Sequence, residues 1–208
     1  DSSLPIFNCS KKEKRMKNKL FFWTALIIVV VVQWYFPIRM ITDNNKVLKS
    51  GKEFRFKVNI ARPDGPFSTT MLKLDFPEYQ VPVLESDNWQ RQEQLYAIIQ
   101  TDADGYAEIT EVSRKKPTDM EDYIVSTGHF RWNEETRKIN TTLLNVNFPF
   151  NYYFLENTPI ERVKNFYEEY VKYSSKTIYA VVNVDKGKCA LKDLQVDGTS
   201  VKELVKSE

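Results

Sequence analysis

Leu20 to Ile38 reads LFFWTALIIVVVVQWYFPI, nineteen positions with no charge and one side-chain amide, Gln33. At about 1.5 Å per helical residue such a run extends roughly 28 Å, close to the roughly 30 Å hydrocarbon core of a bilayer. Trp23, Trp34 and Tyr35 stand near its two ends, where amphipathic rings favour the headgroup region. Pro37 falls near the close of the run, where it can end a helix without breaking it midway. The β-branched residues Ile27 to Val32 form helix poorly in water. In lipid every backbone group must be satisfied within the segment, so a helix is expected there all the same.

Outward from this run, the preceding KKEKRMKNK carries six Lys or Arg against Glu13 alone. Basic flanks stay on the cytoplasmic side, so the N-terminus is expected in the cytoplasm and everything after Arg39 across the membrane. A cleaved signal peptide would need small residues at a cleavage site, whereas Gln33-Trp34-Tyr35-Phe36-Pro37 is bulky. A buried core helix fits the length from Leu20 to Val32, but not the basic flank. The reading is therefore a basic cytoplasmic tail over 1–19, a transmembrane helix over 20–38 that uses the lipid bilayer as its first partner, and a polar linker over 39–50. Met16 opens MKNKLFFW, which has the form of a natural start, so residues 1–15 are read as either an upstream extension or a fragment edge, expected to be disordered.

Residues 1–41 hold seven basic and two acidic side chains, which leaves 23 basic and 26 acidic for the rest. The segment beyond the helix is thus near neutral and slightly acidic, against a nucleic-acid partner, which would need a basic footprint. It is long enough to bury a core of its own. The two cysteines, Cys9 and Cys189, fall on opposite sides of the apolar run and have no metal-ligand spacing. No metal site and no cofactor is expected.

Beyond Gly51 the pattern changes from continuous to alternating. EFRFKVNI sets Phe54, Phe56, Val58 and Ile60 on one face, and Thr70 to Phe76 does the same with Leu72, Leu74 and Phe76. Pro77 to Trp89 reads as irregular. Leu95–Gln100 and Tyr106–Val112 flank Asp102-Ala103-Asp104-Gly105 as a hairpin, with Ile124–Trp132 and Asn140–Phe148 as further strands. Thr158-Pro159-Ile160-Glu161 has the form of a capping box opening one amphipathic helix that ends near Tyr173. Lys176–Val184 and Lys188–Val196 are strands around the turn Asp185-Lys186-Gly187, and Asp197-Gly198 is a second tight turn before a short strand and a charged tail. The fold class is α+β, mainly β: a β-rich domain over 51–203 with one packed helix, and a tail over 204–208.

Three constellations are possible sites. His129, the only histidine, lacks ligand or triad partners nearby. Ser68 with Lys73 supports an alternative reading as a membrane-tethered hydrolase of Ser/Lys type, though no nucleophile motif surrounds them. QTDADGYAEITE over 100–111 partly fits a calcium loop, but its first position is Gln100 and flanking helices are missing.

The segments PFNYYFLE (149–156), YAVV (179–182) and GKCALKDL (187–194), in this order around the helix, resemble the GDYXXLXY family of bacterial membrane-anchored proteins. The family's eight-residue signature falls on residues 69–76, where Leu74 matches, Phe76 replaces the final tyrosine and the Gly-Asp-Tyr opening is absent. The resemblance implies one N-terminal transmembrane helix and a periplasmic domain at the bacterial inner membrane, encoded beside polytopic membrane proteins. It implies no reaction. Glu156 and Glu161 fall at acidic positions of the family and Tyr153 in its aromatic run, so these three are the binding candidates, with no catalytic residue assigned. The expected role is an accessory subunit of a membrane protein complex, partnered with a polytopic membrane protein.

Overall fold

The computed structural model describes residues 9–63, 71–77, 79–84, 88–118, 120–133, 138–155 and 158–207. The chain divides into two compact units, one up to Asn45 and one from Lys46. It is mainly β beyond a single long N-terminal helix.

The first unit consists of helix α1, which runs Cys9–Ser50 and continues into the second. Pro37 lies inside it and does not end it. Proline removes only one intrahelical hydrogen bond, a loss that apolar spanning helices tolerate when neighbouring groups compensate. The part Phe21–Ser50 is long and apolar enough to cross a membrane, and none of its most apolar window is buried. Residues 9–15 are helical where disorder is expected, and residues 39–50 are helical where a linker is expected. The last turn, Lys46–Ser50, belongs to the second unit, where Val47 is buried. Gly51 closes that turn through its N–H to the Val47 carbonyl at 2.8 Å.

Among the described residues the second unit has three antiparallel sheets. One has the order β1 (Lys52–Lys57), β10 (Ile178–Asp185), β11 (Lys188–Val196), β12 (Thr199–Ser200). Another has β2 (Asn59–Ile60), β3 (Met71–Asp75), β9 (Tyr152–Phe154). The largest has β4 (Gln80–Pro82), β8 (Lys138–Asn147), β7 (Tyr123–Asn133), β5 (Gln94–Thr101), β6 (Ala107–Ser113).

The alternation in EFRFKVNI buries Phe54 and Phe56 and exposes Arg55. The run does not stay in one sheet. At Val58, whose N–H bonds the Ile178 carbonyl at 3.0 Å, the chain leaves β10 and pairs next with β3. Phe56 thereby centres a ring cluster with Tyr79, Phe148 and Phe150, its centroid 5.1 to 5.4 Å from theirs. Strand β10 is paired on both sides and buried nearly throughout, so its sequence reads as continuous apolar rather than alternating. Both turns of the last hairpins have two central residues of positive φ, Lys186 (48°) with Gly187 (88°) and Asp197 (48°) with Gly198 (90°). These are the mirror-image turns whose twist suits antiparallel neighbours.

Further elements differ from the sequence reading. The short strand β4 occupies part of the segment read as irregular, held by pairing to β8. The N-cap of α2 (Ile160–Phe166) is Pro159, one residue later than Thr158, and bears no side-chain capping bond. That helix continues as a π-helical stretch Tyr167–Lys172 and ends at Tyr173, as the spacing predicts. The final segment is helix α3, Val201–Ser207, rather than a tail. It folds because Val201 and Val205, one turn apart, are both fully buried.

Candidate functional site

Tyr153 is the one sequence candidate around which side chains converge. Strand β9 alternates: Tyr152 and Phe154 face outward while Tyr153, opposite Leu72 of β3, is buried. Its hydroxyl donates to Asp193 Oδ1 at 2.7 Å. The same oxygen accepts from Ser200 Oγ and from the Leu194 N–H, each at 2.9 Å, and Gln195 Nε2 reaches Oδ2 at 3.3 Å. Lys202 Nζ stands 5.4 Å from the Tyr153 ring centroid.

A register shift brings Asp193 here. Val181 pairs with Asp193 but Val182 with Leu191, so Lys192 is the extra residue of a β-bulge. Lys192 turns to Glu53, 2.7 Å away. Two successive polar residues, Lys192-Asp193, inside an otherwise alternating strand were the available sign of this bulge. Asp193, Ser200 and Lys202 were not among the sequence candidates.

Burial first, and the bond to a carboxylate second, push the Tyr153 phenol well above the ordinary tyrosine range. At neutral pH it is therefore a fixed donor, unsuited to act as base or nucleophile. The cluster is a clasp joining β9 to β11, β12 and the start of α3.

Of the other candidates, those among the described residues do not join it. Glu161 is exposed on the first turn of α2, where a carboxylate suits the helix dipole. Glu156 lies outside the described residues, as does Ser68. Lys73 is exposed on β3 opposite Tyr152. His129 lies on β7 opposite Asn145. Asp102 closes the β5–β6 hairpin: its Oδ1 accepts the N–H groups of Asp104 at 2.9 Å and Tyr106 at 2.7 Å, a turn use that competes with any role as a calcium ligand. Among the described residues no group of three His, Cys, Asp or Glu could hold a metal ion. Burial raises the free Cys189 thiol to about 12, so it is an inert packing group.

Two surface features remain. Tyr152 and Phe154, 43% and 60% exposed, form an apolar pair on the edge strand β9, with Met71 opposite Phe154. Lys57, Tyr79, Gln80, Asp102, Tyr106 and Glu108 line a cavity of about 240 Å³ at the β5–β6 turn, where Lys57 Nζ caps the Tyr106 ring at 4.8 Å.

The sequence profile of the GDYXXLXY proteins matches residues 33–194, and the chain belongs to that family. No curated protein and no solved structure matches it. A GDYXXLXY protein with one N-terminal helix able to cross a membrane and a β-rich remainder is thus what sequence and fold together define.

Proposed function

We propose that this protein is a single-pass, membrane-anchored accessory subunit of a membrane protein complex. The observation that carries the reading is α1: its apolar stretch has large side chains such as Phe22, Val31 and Trp34 at 49% exposure or more, apart from Val30 and Leu26 at 43%. Apolar surface on that scale needs a lipid or protein cover. The basic residues before Leu20 favour a cytoplasmic N-terminus and a domain on the far, periplasmic side of a bacterial inner membrane. A polytopic membrane protein is the partner whose chemistry suits the apolar helix, and the exposed pair Tyr152 and Phe154 offers it a second contact. Tyr153, held as a hydrogen-bond donor, supports a structural or binding use of its own cluster.

The test is purification at native expression in a mild detergent. A polytopic protein in fixed stoichiometry is expected, with its yield reduced in the variant Tyr152→Ser/Phe154→Ser. Recovery of the chain alone as a monomer contradicts the reading.

A further inference from the structure

Part of the outward face of the five-stranded sheet carries neutral polar residues side by side. Gln94, Thr127 and Asn147 stand opposite one another on β5, β7 and β8. Two residues along, His129, Asn145 and Gln80 form a second row across β7, β8 and β4. Directly opposed residues share a face, and a step of two returns to it. None of these six is Asp, Glu, Lys or Arg, in a chain with 30 basic and 28 acidic side chains.

The first row lines an open cleft of about 380 Å³, with Asn151, Val125 and Pro149 at its border. Tyr96, opposite Val125 on the same face, receives Gln94 Nε2 at its hydroxyl, 3.2 Å away. Asn147 Nδ2 reaches Thr127 Oγ1 at 3.5 Å, which among the described residues leaves most of the hydrogen-bonding capacity of both amides in the row unused. In the second row Asn145 is 5% exposed and its Oδ1 has no partner among the described residues.

We infer that this cleft binds a neutral oligosaccharide. A sugar ring presents hydroxyls that both donate and accept, and amides and a threonine hydroxyl meet them without discriminating by charge. Its C–H faces suit Val125 and Pro149. A phosphate or nucleotide would need cations, and the cleft lining has none. An extended peptide would add to a strand edge, but β5, β7 and β8 are interior strands whose backbone groups are already paired. The inference stands on the sheet face alone and survives if the accessory-subunit reading fails.

The test is titration of the full chain, held in a detergent without sugar headgroups, with tetra-N-acetylchitotetraose and with maltotetraose. At least one binds, and Gln94→Ala/Asn147→Ala, both exposed positions, weakens it about tenfold at an unchanged melting temperature. Asn147→Asp, which adds a charge to the row, serves as a second variant with the same expectation. No binding of either sugar overturns the inference. So does equal affinity in both variants, or displacement of the sugar by a neutral tetrapeptide.

Discussion

Val29 to Val32 in α1 and Val181, Val182 and Val184 in β10 are nearly the same chemistry in opposite circumstances. The first set is 43–61% exposed on a helix, and the second is at most 3% exposed in a strand. What separates them is where backbone hydrogen bonds can be found. In β10, strands β1 and β11 supply them on both sides. Among the described residues no strand pairs with this run of α1, and it takes the helix that closes its own bonds. Valine therefore does not choose the element. Run length and flanks do: α1 has nineteen uncharged positions behind a basic tail, whereas β10 has seven buried residues that end at Asp185 and a tight turn.

The sharpest way to break this comparison is to place one charge in each run. Val182→Asp buries an unpaired carboxylate at the centre of the sheet, and more than about 4 kcal/mol of destabilisation is expected, enough to unfold the domain in a denaturant titration. Val30→Asp leaves the melting of that domain unchanged but costs about 2.5–3.5 kcal/mol of membrane insertion, read as a lowered membrane-bound fraction. Equal effects of the two on domain stability would dissolve the distinction.

A smaller effect is expected at Tyr153. Its phenol titrates higher folded than unfolded, so its contribution is complete below about pH 10 and declines above it, as the unfolded tyrosine ionises first. One such group lowers stability by about 1.4 kcal/mol per pH unit in that range. Tyr153→Phe should cost about 1 kcal/mol at neutral pH by removing one of the donors to Asp193, and should flatten the alkaline decline of the melting temperature. The raised Cys189 thiol adds a decline of the same sign from about pH 9, which Cys189→Ala removes. A Tyr153→Phe profile parallel to that of the unaltered protein would show the clasp to be unimportant.

The smallest effect is expected where α1 meets the fold. Asn183 Nδ2 donates to the Leu48 carbonyl at 3.0 Å and lies 3.4 Å from that of Gly51. Asn183→Ala should cost about 1 kcal/mol, with fraying of Lys46–Ser50 visible as faster amide exchange there.

These cases also show what could be read from residues alone. The apolar helix was legible because its length and composition need no partner to interpret. So were the last hairpins, since Lys186-Gly187 and Asp197-Gly198 carry their turn geometry locally. The helical turn Lys46–Ser50 was not, because its support comes from Asn183, 135 residues from Leu48. Strand β4 depends likewise on β8, and α3 on burial of Val201 and Val205. Tyr153 was a binding candidate from the family resemblance alone, and its bond to Asp193 was not legible because Asp193 arrives only through a bulge in β11. The neutral rows on the large sheet were invisible because each is assembled from three separate strands.

The central claim is that α1 holds this chain in a bilayer. Alkaline carbonate extraction of membranes from cells expressing the intact chain measures it directly. The account predicts that the protein stays in the membrane pellet until detergent is added. Release of the intact chain into the carbonate supernatant would contradict it.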